Sequence, residues 1–220
     1  HTAEFAMVAI ATGNTVVMKP APETPLSSLR IAELAADVFP DGVFNVVSGG
    51  VEPGAALTEH PGVDKLAFTG NDKTGQLILK SAAENITPAM MELGGKNPAI
   101  VFPDADFEKA VSGLIYNAFY NSGQACTNPE RLLIHEDIFD EFLDEYTSRV
   151  EDIVVGDGMD KHTEVGPLVS AKQRDSVLEF IEDAQEDGAT ILAQASLPDD
   201  PALQDGYFVP PTVFGNVDPG

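Results

Sequence analysis

Short β-branched runs alternate with helical stretches through the first 94 residues, and this rhythm constrains the fold more than any other feature. Residues 15–18 read as a buried strand, and Pro20, Pro22 and Pro25 break the chain after it. Residues 26–38 read as a helix, residues 43–47 as a strand running into Gly49-Gly50, residues 53–59 as a short helix and residues 65–68 as a third strand. Gly70 to Gly75 forms a tight turn into a helix that runs to about Glu84, and residues 89–93 form a fourth strand. Strands and helices alternating at this spacing imply a parallel, doubly wound α/β sheet.

A second alternation starts after Gly94-Gly95. Residues 99–102 read as a strand and residues 107–121 as a helix with Val111, Leu114, Ile115, Ala118 and Phe119 on one face. Residues 131–135 read as a strand, 138–154 as an acidic amphipathic helix, 171–187 as another helix, and 190–192 and 208–214 as strands. The expected boundary therefore lies at Gly94-Gly95, giving domains over residues 1–94 and 95–220, with Asp199-Asp200-Pro201 as a surface loop.

Charge excludes some functions. The net charge is −24, so nucleic acid is not an expected partner, because phosphate contacts need Lys and Arg. Residues 1–94 carry 11 acids against 5 bases, and residues 95–220 carry 25 against 7. Glu136, Asp137, Asp140, Glu141, Asp144 and Glu145 interleave at helical spacing with Ile138, Phe139, Phe142, Leu143, Tyr146 and Val150. That pattern makes a solvated acidic face rather than a metal cage. Such a surface repels itself at low salt and is screened at high salt, as expected of a protein from a salt-loving organism. No apolar run reaches the roughly 18 residues that span a bilayer, so no membrane is expected. His1, His60, His135 and His162 show no metal-ligand spacing, and no metal is expected.

Cys126 is the single cysteine, which excludes an internal disulfide framework and suits a reducing cytoplasm. It sits in Asn121-Ser122-Gly123-Gln124-Ala125-Cys126-Thr127, where a glycine permits close approach and the polar flanks favour a reactive thiol over an inert core residue. Upstream stands Glu92 in Glu92-Leu93-Gly94-Gly95-Lys96-Asn97-Pro98. The two together supply a thiol nucleophile and a carboxylate that can serve as its partner base.

These two segments resemble the Gly-Gln-x-Cys-Thr and Glu-Leu-Gly-Gly-Lys-x-Pro motifs of the NAD(P)-dependent aldehyde dehydrogenase superfamily, in the family's order. Four more runs are similar to family segments: Gly13-Asn14-Thr15-Val16-Val17-Met18-Lys19-Pro20, Phe68-Thr69-Gly70-Asn71-Asp72-Lys73-Thr74-Gly75, Gly166-Pro167-Leu168, and Gly206-Tyr207-Phe208-Val209-Pro210-Pro211-Thr212-Val213. The resemblance covers essentially the whole chain. It implies two Rossmann-like, doubly wound domains, with residues 1–94 binding cofactor and residues 95–220 carrying the nucleophile.

What the resemblance implies for function is oxidation of an aldehyde to a carboxylic acid, with Cys126 as nucleophile and Glu92 as the base that activates a hydrolytic water. It places Lys19, Pro22, Gly49, Thr69, Gly70, Asn71, Gly75, Leu93 and Gly94 at the cofactor, and Phe119 and Asn121 at the aldehyde entrance, where a core role for Phe119 stays open. Asn71 departs from the serine common at its position. Many NAD-preferring members carry a glutamate where Pro22 stands, with Glu23 adjacent, so the residues lean to NAD and leave NADP open. A CoA-acylating semialdehyde dehydrogenase is the alternative within the fold, and Glu92 argues against it. A non-catalytic relative with a binding role needs neither Cys126 nor Glu92. The family's oxyanion asparagine, in a Pro-Trp-Asn-type motif, and its ribose-binding glutamate, in a Glu-x-Phe-Gly-Pro-type motif, do not occur in these 220 residues. The expectation is thus an internal fragment, inactive alone, of a cytoplasmic homodimer or homotetramer.

Overall fold

The β-branched and large apolar runs form the strands, some shorter than the expected run, as at Val16–Met18 and Phe44–Val46, and some longer, as at Asn97–Val101 and Thr190–Gln194. A computed structural model of the chain describes residues 2–217. The chain divides into two compact units, His1–Gly94 and Gly95–Gly220.

In the first unit a helical turn at Thr2–Ala6 runs into α1 (Met7–Ala11). Then follow β1 (Val16–Met18), α2 (Leu26–Ala36), β2 (Phe44–Val46), α3 (Val51–Glu59), β3 (Leu66–Thr69), α4 (Asp72–Asn85) and β4 (Ala89–Glu92). Parallel pairs join β1 to β2, with Val16 opposite Phe44, and β3 to β4, with Thr69 opposite Glu92. The intervening helices are the crossovers that parallel pairing requires. Burial here is thin: the buried apolar side chains among the described residues of this unit are Ala6, Pro20, Ala35, Leu66 and Ala82.

The second unit contains β5 (Asn97–Val101), α5 (Phe107–Phe119), β6 (Pro129–Ile134), α6 (Phe139–Glu151), α7 (Ala171–Glu186), β7 (Thr190–Gln194) and β8 (Thr212–Gly215). β5 and β6 pair in parallel, with Ile100 opposite Leu133. The core gathers Val101, Val111, Phe142, Tyr146, Val150 and Phe208, with Phe107 edge-on to Phe142. Burial pushes the Tyr146 phenol up to about 12. On α6 Phe142, Tyr146 and Val150 are buried and Leu143 is half-buried, whereas Phe139, expected on the same apolar face, is exposed.

One pairing departs from the parallel expectation. β7 and β8 are antiparallel, Thr190 opposite Gly215. The segment between them carries Pro198, Pro201, Pro210 and Pro211 and only one short helical turn, Pro201–Leu203. No crossover helix can form across so many prolines, so the chain turns back on itself. The second expected strand, begun at 208, starts only at Thr212 for the same reason.

Candidate active site

Cys126 lies in the second unit and Glu92 in the first, and each sits in a local frame of its own. The cysteine frame begins where α5 ends. Asn121, Ser122 and Gly123 take successive left-handed conformations, with φ of 52°, 56° and 72°. A non-glycine residue pays about 1–2 kcal/mol for that backbone, so neighbouring bonds must hold it. They do. The Ser122 hydroxyl donates to the Gly166 carbonyl at 2.9 Å, and the Gln124 side-chain oxygen accepts from the Val169 amide at 3.3 Å. Leu168 in turn donates from its backbone to the Tyr207 carbonyl at 2.9 Å. The family-like segments Gly166-Pro167-Leu168 and Gly206-Tyr207-Phe208 are therefore the braces of the cysteine loop.

Beyond the loop, Asn128 is buried and donates to the carbonyls of Ala118 and Tyr120, each at 3.0 Å. Asn97 Nδ2 donates to the carbonyl of Cys126 at 2.6 Å and to that of Asn128 at 2.9 Å. Glu130 accepts from the Asn97 amide at 2.6 Å. Cys126 itself is exposed. Asn121 is exposed, while Phe119 is half-buried and packs on the core. A hollow lined by Ala99, Ile100, Val101, Lys109, Gly113 and Leu114 contains none of the site residues expected from sequence.

In the first unit the β3–β4 pairing assembles most of the residues expected at a cofactor. Thr69 lies opposite Glu92, and the Gly70 amide donates to the Glu92 carbonyl at 3.0 Å. Asn71 caps α4: its Oδ1 accepts from the Thr74 amide at 2.9 Å. Asp72, in the first turn where an acid complements the helix dipole, accepts from the Gly94 amide at 3.4 Å. Gly75 is buried, and a Cβ there would meet Leu93 Cδ2 at 2.8 Å. Thr69, Gly70, Asn71, Gly75, Glu92, Leu93 and Gly94 thus form one strand–turn–helix cluster. Glu92 is exposed at the end of β4.

Lys19 and Gly49 form a second, smaller group. Lys19 Nζ donates to the Pro20 carbonyl at 2.7 Å and to the Gly49 carbonyl at 3.4 Å. Gly49 has φ 151°, and a Cβ there would meet Pro53 Cγ at 2.7 Å, so the turn into α3 requires glycine. Pro22 stands exposed in the turn that Thr24 closes on the Ala21 carbonyl. Among the described residues, no group of His, Cys, Asp and Glu could hold a metal ion, and no helix is long and apolar enough to cross a membrane.

The model of the aldehyde dehydrogenase family matches residues 2–220. The chain belongs to the aldehyde dehydrogenase family. An aldehyde dehydrogenase of Didymella fabae is 45% identical over 218 residues, covering 99% of this chain and 44% of the relative. A betaine aldehyde dehydrogenase of Rhizobium johnstonii is 42% identical, covering 95% of this chain and 43% of the relative. The crystal structure of PnpE from Pseudomonas sp. WBC-3 superposes with a TM-score of 0.92 at 47% identity, covering 97% of this chain and 44% of that one. Betaine aldehyde dehydrogenase of Staphylococcus aureus, solved with NAD+, superposes at 0.89 with 40% identity, covering 96% and 42%. The chain thus spans under half the length of these relatives. Both units share the aldehyde dehydrogenase fold expected from sequence.

Several residues of the aldehyde dehydrogenase frame escaped the motif reading. Asn97, Asn128, Ser122 and Glu130 hold the cysteine loop through side chains. The only signal available was their position inside or beside the two motifs, since hydrogen bonds across 29 or 44 residues leave no periodic trace.

Proposed function

We propose that the protein carrying this chain oxidises an aldehyde to a carboxylic acid with NAD as hydride acceptor, residues 1–94 binding the cofactor and residues 95–220 presenting the nucleophile. The observation that supports it best is Cys126: the single thiol, exposed on a loop braced from both sides, in a member of this family. The Cys126 thiolate attacks the carbonyl carbon and forms a C–S bond, giving a tetrahedral oxyanion held by the Cys126 backbone amide. This carbon sheds its hydride, for which a bound NAD would supply the acceptor, and becomes the carbonyl of a thioester on Cys126. The thioester left on Cys126 is then hydrolysed. Glu92 removes a proton from water, the water oxygen bonds to the carbonyl carbon, and the C–S bond breaks with the thiolate as leaving group.

The residues present fit a dinucleotide. α4 has 14 residues, and the amides of Asp72 and Lys73 lie in its first turn, where helical bonding cannot use them. Gly70 just before it has no side chain to obstruct approach, and Leu93 and Gly94 lie alongside. Lys19 supplies a cation near the Gly49 turn. PnpE has been solved in complex with nicotinamide adenine dinucleotide, which favours NAD for this relative. NADP stays open at Pro22. Glu92 weighs against acyl transfer to CoA, since that route needs no water-activating base.

The test is to incubate the protein with an aldehyde and NAD, follow cofactor reduction, and map adducts by mass spectrometry. The expected result is acylation confined to Cys126 and loss of activity in Cys126→Ala. A Cys126→Ala protein that still reduces NAD would overturn the reading.

A further inference from the structure

We propose that Asn97 is the positioning residue for the nucleophile: it sets the backbone of Cys126 rather than touching substrate. The consequence for turnover rests on the aldehyde-oxidising reading above; the consequence for the loop does not. An asparagine amide nitrogen carries two N–H donors. Asn97 spends both on one short stretch of chain, at 2.6 Å on the Cys126 carbonyl and at 2.9 Å on the Asn128 carbonyl. The Asn128 amide closes the same stretch by donating to the Ala125 carbonyl at 3.1 Å. So residues 125–128 form a turn whose carbonyls at 126 and 128 converge on one donor group.

Asn97 is itself immobilised. It opens β5 opposite Pro129 of β6, its backbone amide donates to the Glu130 carboxylate at 2.6 Å, and its side chain is half-buried. The ladder shifts register between Asn97 and Pro98, so the pairing is spent on placing this one residue rather than on a regular run. The other braces act elsewhere. Ser122 and Gln124 hold the approach to the loop, and the Asn128 side chain anchors its exit to the end of α5. Among the described residues, Asn97 supplies the hydrogen bond to the Cys126 carbonyl. Fixing that carbonyl fixes the Cys126 ψ angle and with it the direction in which the thiol leaves the backbone. A displacement of about 1 Å in a reacting group costs on the order of 10²-fold in rate.

The variants are Asn97→Ala, which removes the donors, and Asn97→Asp, which keeps the shape and turns an oxygen toward two carbonyl oxygens. Asn97→Asp keeps the test alive if the alanine protein fails to fold. Two readouts are taken on the full protein carrying this chain. Hydrogen exchange of the Asn128 amide, which closes the turn on the Ala125 carbonyl, is expected to accelerate at least tenfold while β5, β6 and α5 keep their protection. kcat for aldehyde oxidation is expected to fall at least tenfold while KM for NAD stays within twofold. Unchanged exchange of the Asn128 amide in a folded variant overturns the positioning role, whether or not the wild type oxidises aldehydes. Accelerated exchange with unchanged kcat in an active protein overturns it equally. Absence of aldehyde oxidation in the wild type counts against the proposed function alone, and the exchange readout still decides the loop.

Discussion

At the scale of residues, the two proposed chemical groups call for different experiments because they act at different steps. Thiol attack and hydride departure precede any need for Glu92. Glu92→Gln keeps the shape of the end of β4, where the side chain is exposed and the backbone carbonyl, not the carboxylate, binds the Gly70 amide. The substitution is therefore expected to leave the fold intact. Rapid mixing with aldehyde should show a burst of reduced NAD equal to the enzyme present, followed by turnover slowed by about 10²–10⁴-fold, the usual cost of losing a general base. Unchanged steady-state turnover excludes Glu92 as the deacylating base. Loss of the burst assigns it an earlier role, in activating the thiol.

At the scale of elements, α5 and α6 are clamped by one cation. Arg149 donates to Glu108 of α5 at 2.8 Å and to Glu145 of its own helix at 2.6 Å, and also to Ser112. The Arg149 guanidinium and the Ser112 hydroxyl hold the Glu108 carboxyl at about 2, well below its ordinary 4.5. Glu108 is two-thirds exposed, so water and salt screen part of the gain. A carboxyl depressed in the folded state stabilises above its unfolded pKa, and that contribution fades as pH falls from about 4.5 toward about 2. Glu108→Gln should thus melt below wild type at pH 6, the gap closing as pH approaches 2; a gap of constant size would show that the clamp does not depend on charge. The two helices themselves were legible in the sequence, because 3.6-residue periodicity is local: Val111, Phe142, Tyr146 and Val150 are buried as their spacing requires. Helix α1 was not legible, since Met7–Ala11 is five residues long and lacks a capping side chain. The β7–β8 direction was not legible either, because strand partnership is decided by the connection. The cluster from Thr69 to Gly94 was readable as a motif, and the bracing of Cys126 by Asn97 was not, being a contact between residues far apart in sequence.

At the scale of the whole molecule, charge is the dominant physical fact. Thirty-six acids face 12 bases, giving −24 at pH 7. Some bases are already committed: Arg149 to Glu108 and Glu145, Lys109 to Asp106, Arg30 to Glu33 and Arg174 to Asp175. Added salt has two opposed effects. It weakens these surface pairs, each worth about 1 kcal/mol or less. It also relieves repulsion among the surplus carboxylates, which outnumber the pairs several times over, and at 1 M the Debye length of about 3 Å leaves little of that repulsion. Repulsion relieved exceeds attraction lost, so stability is expected to rise with salt. The effect should differ between the units, because residues 95–220 carry 25 acids against 7 bases and residues 1–94 only 11 against 5. Thermal melts from 0.1 to 2 M NaCl measure the first point, and hydrogen exchange resolved by peptide measures the second. The expected outcome is a melting temperature that climbs with NaCl, equally in KCl, with protection gained chiefly in α6 and α7, whose exposed faces carry acids such as Asp140, Asp144, Glu179 and Glu182. A flat or falling melting temperature would remove the reading of this surface as an adaptation to high salt. A rise confined to residues 1–94 would show that something other than carboxylate repulsion responds to the salt.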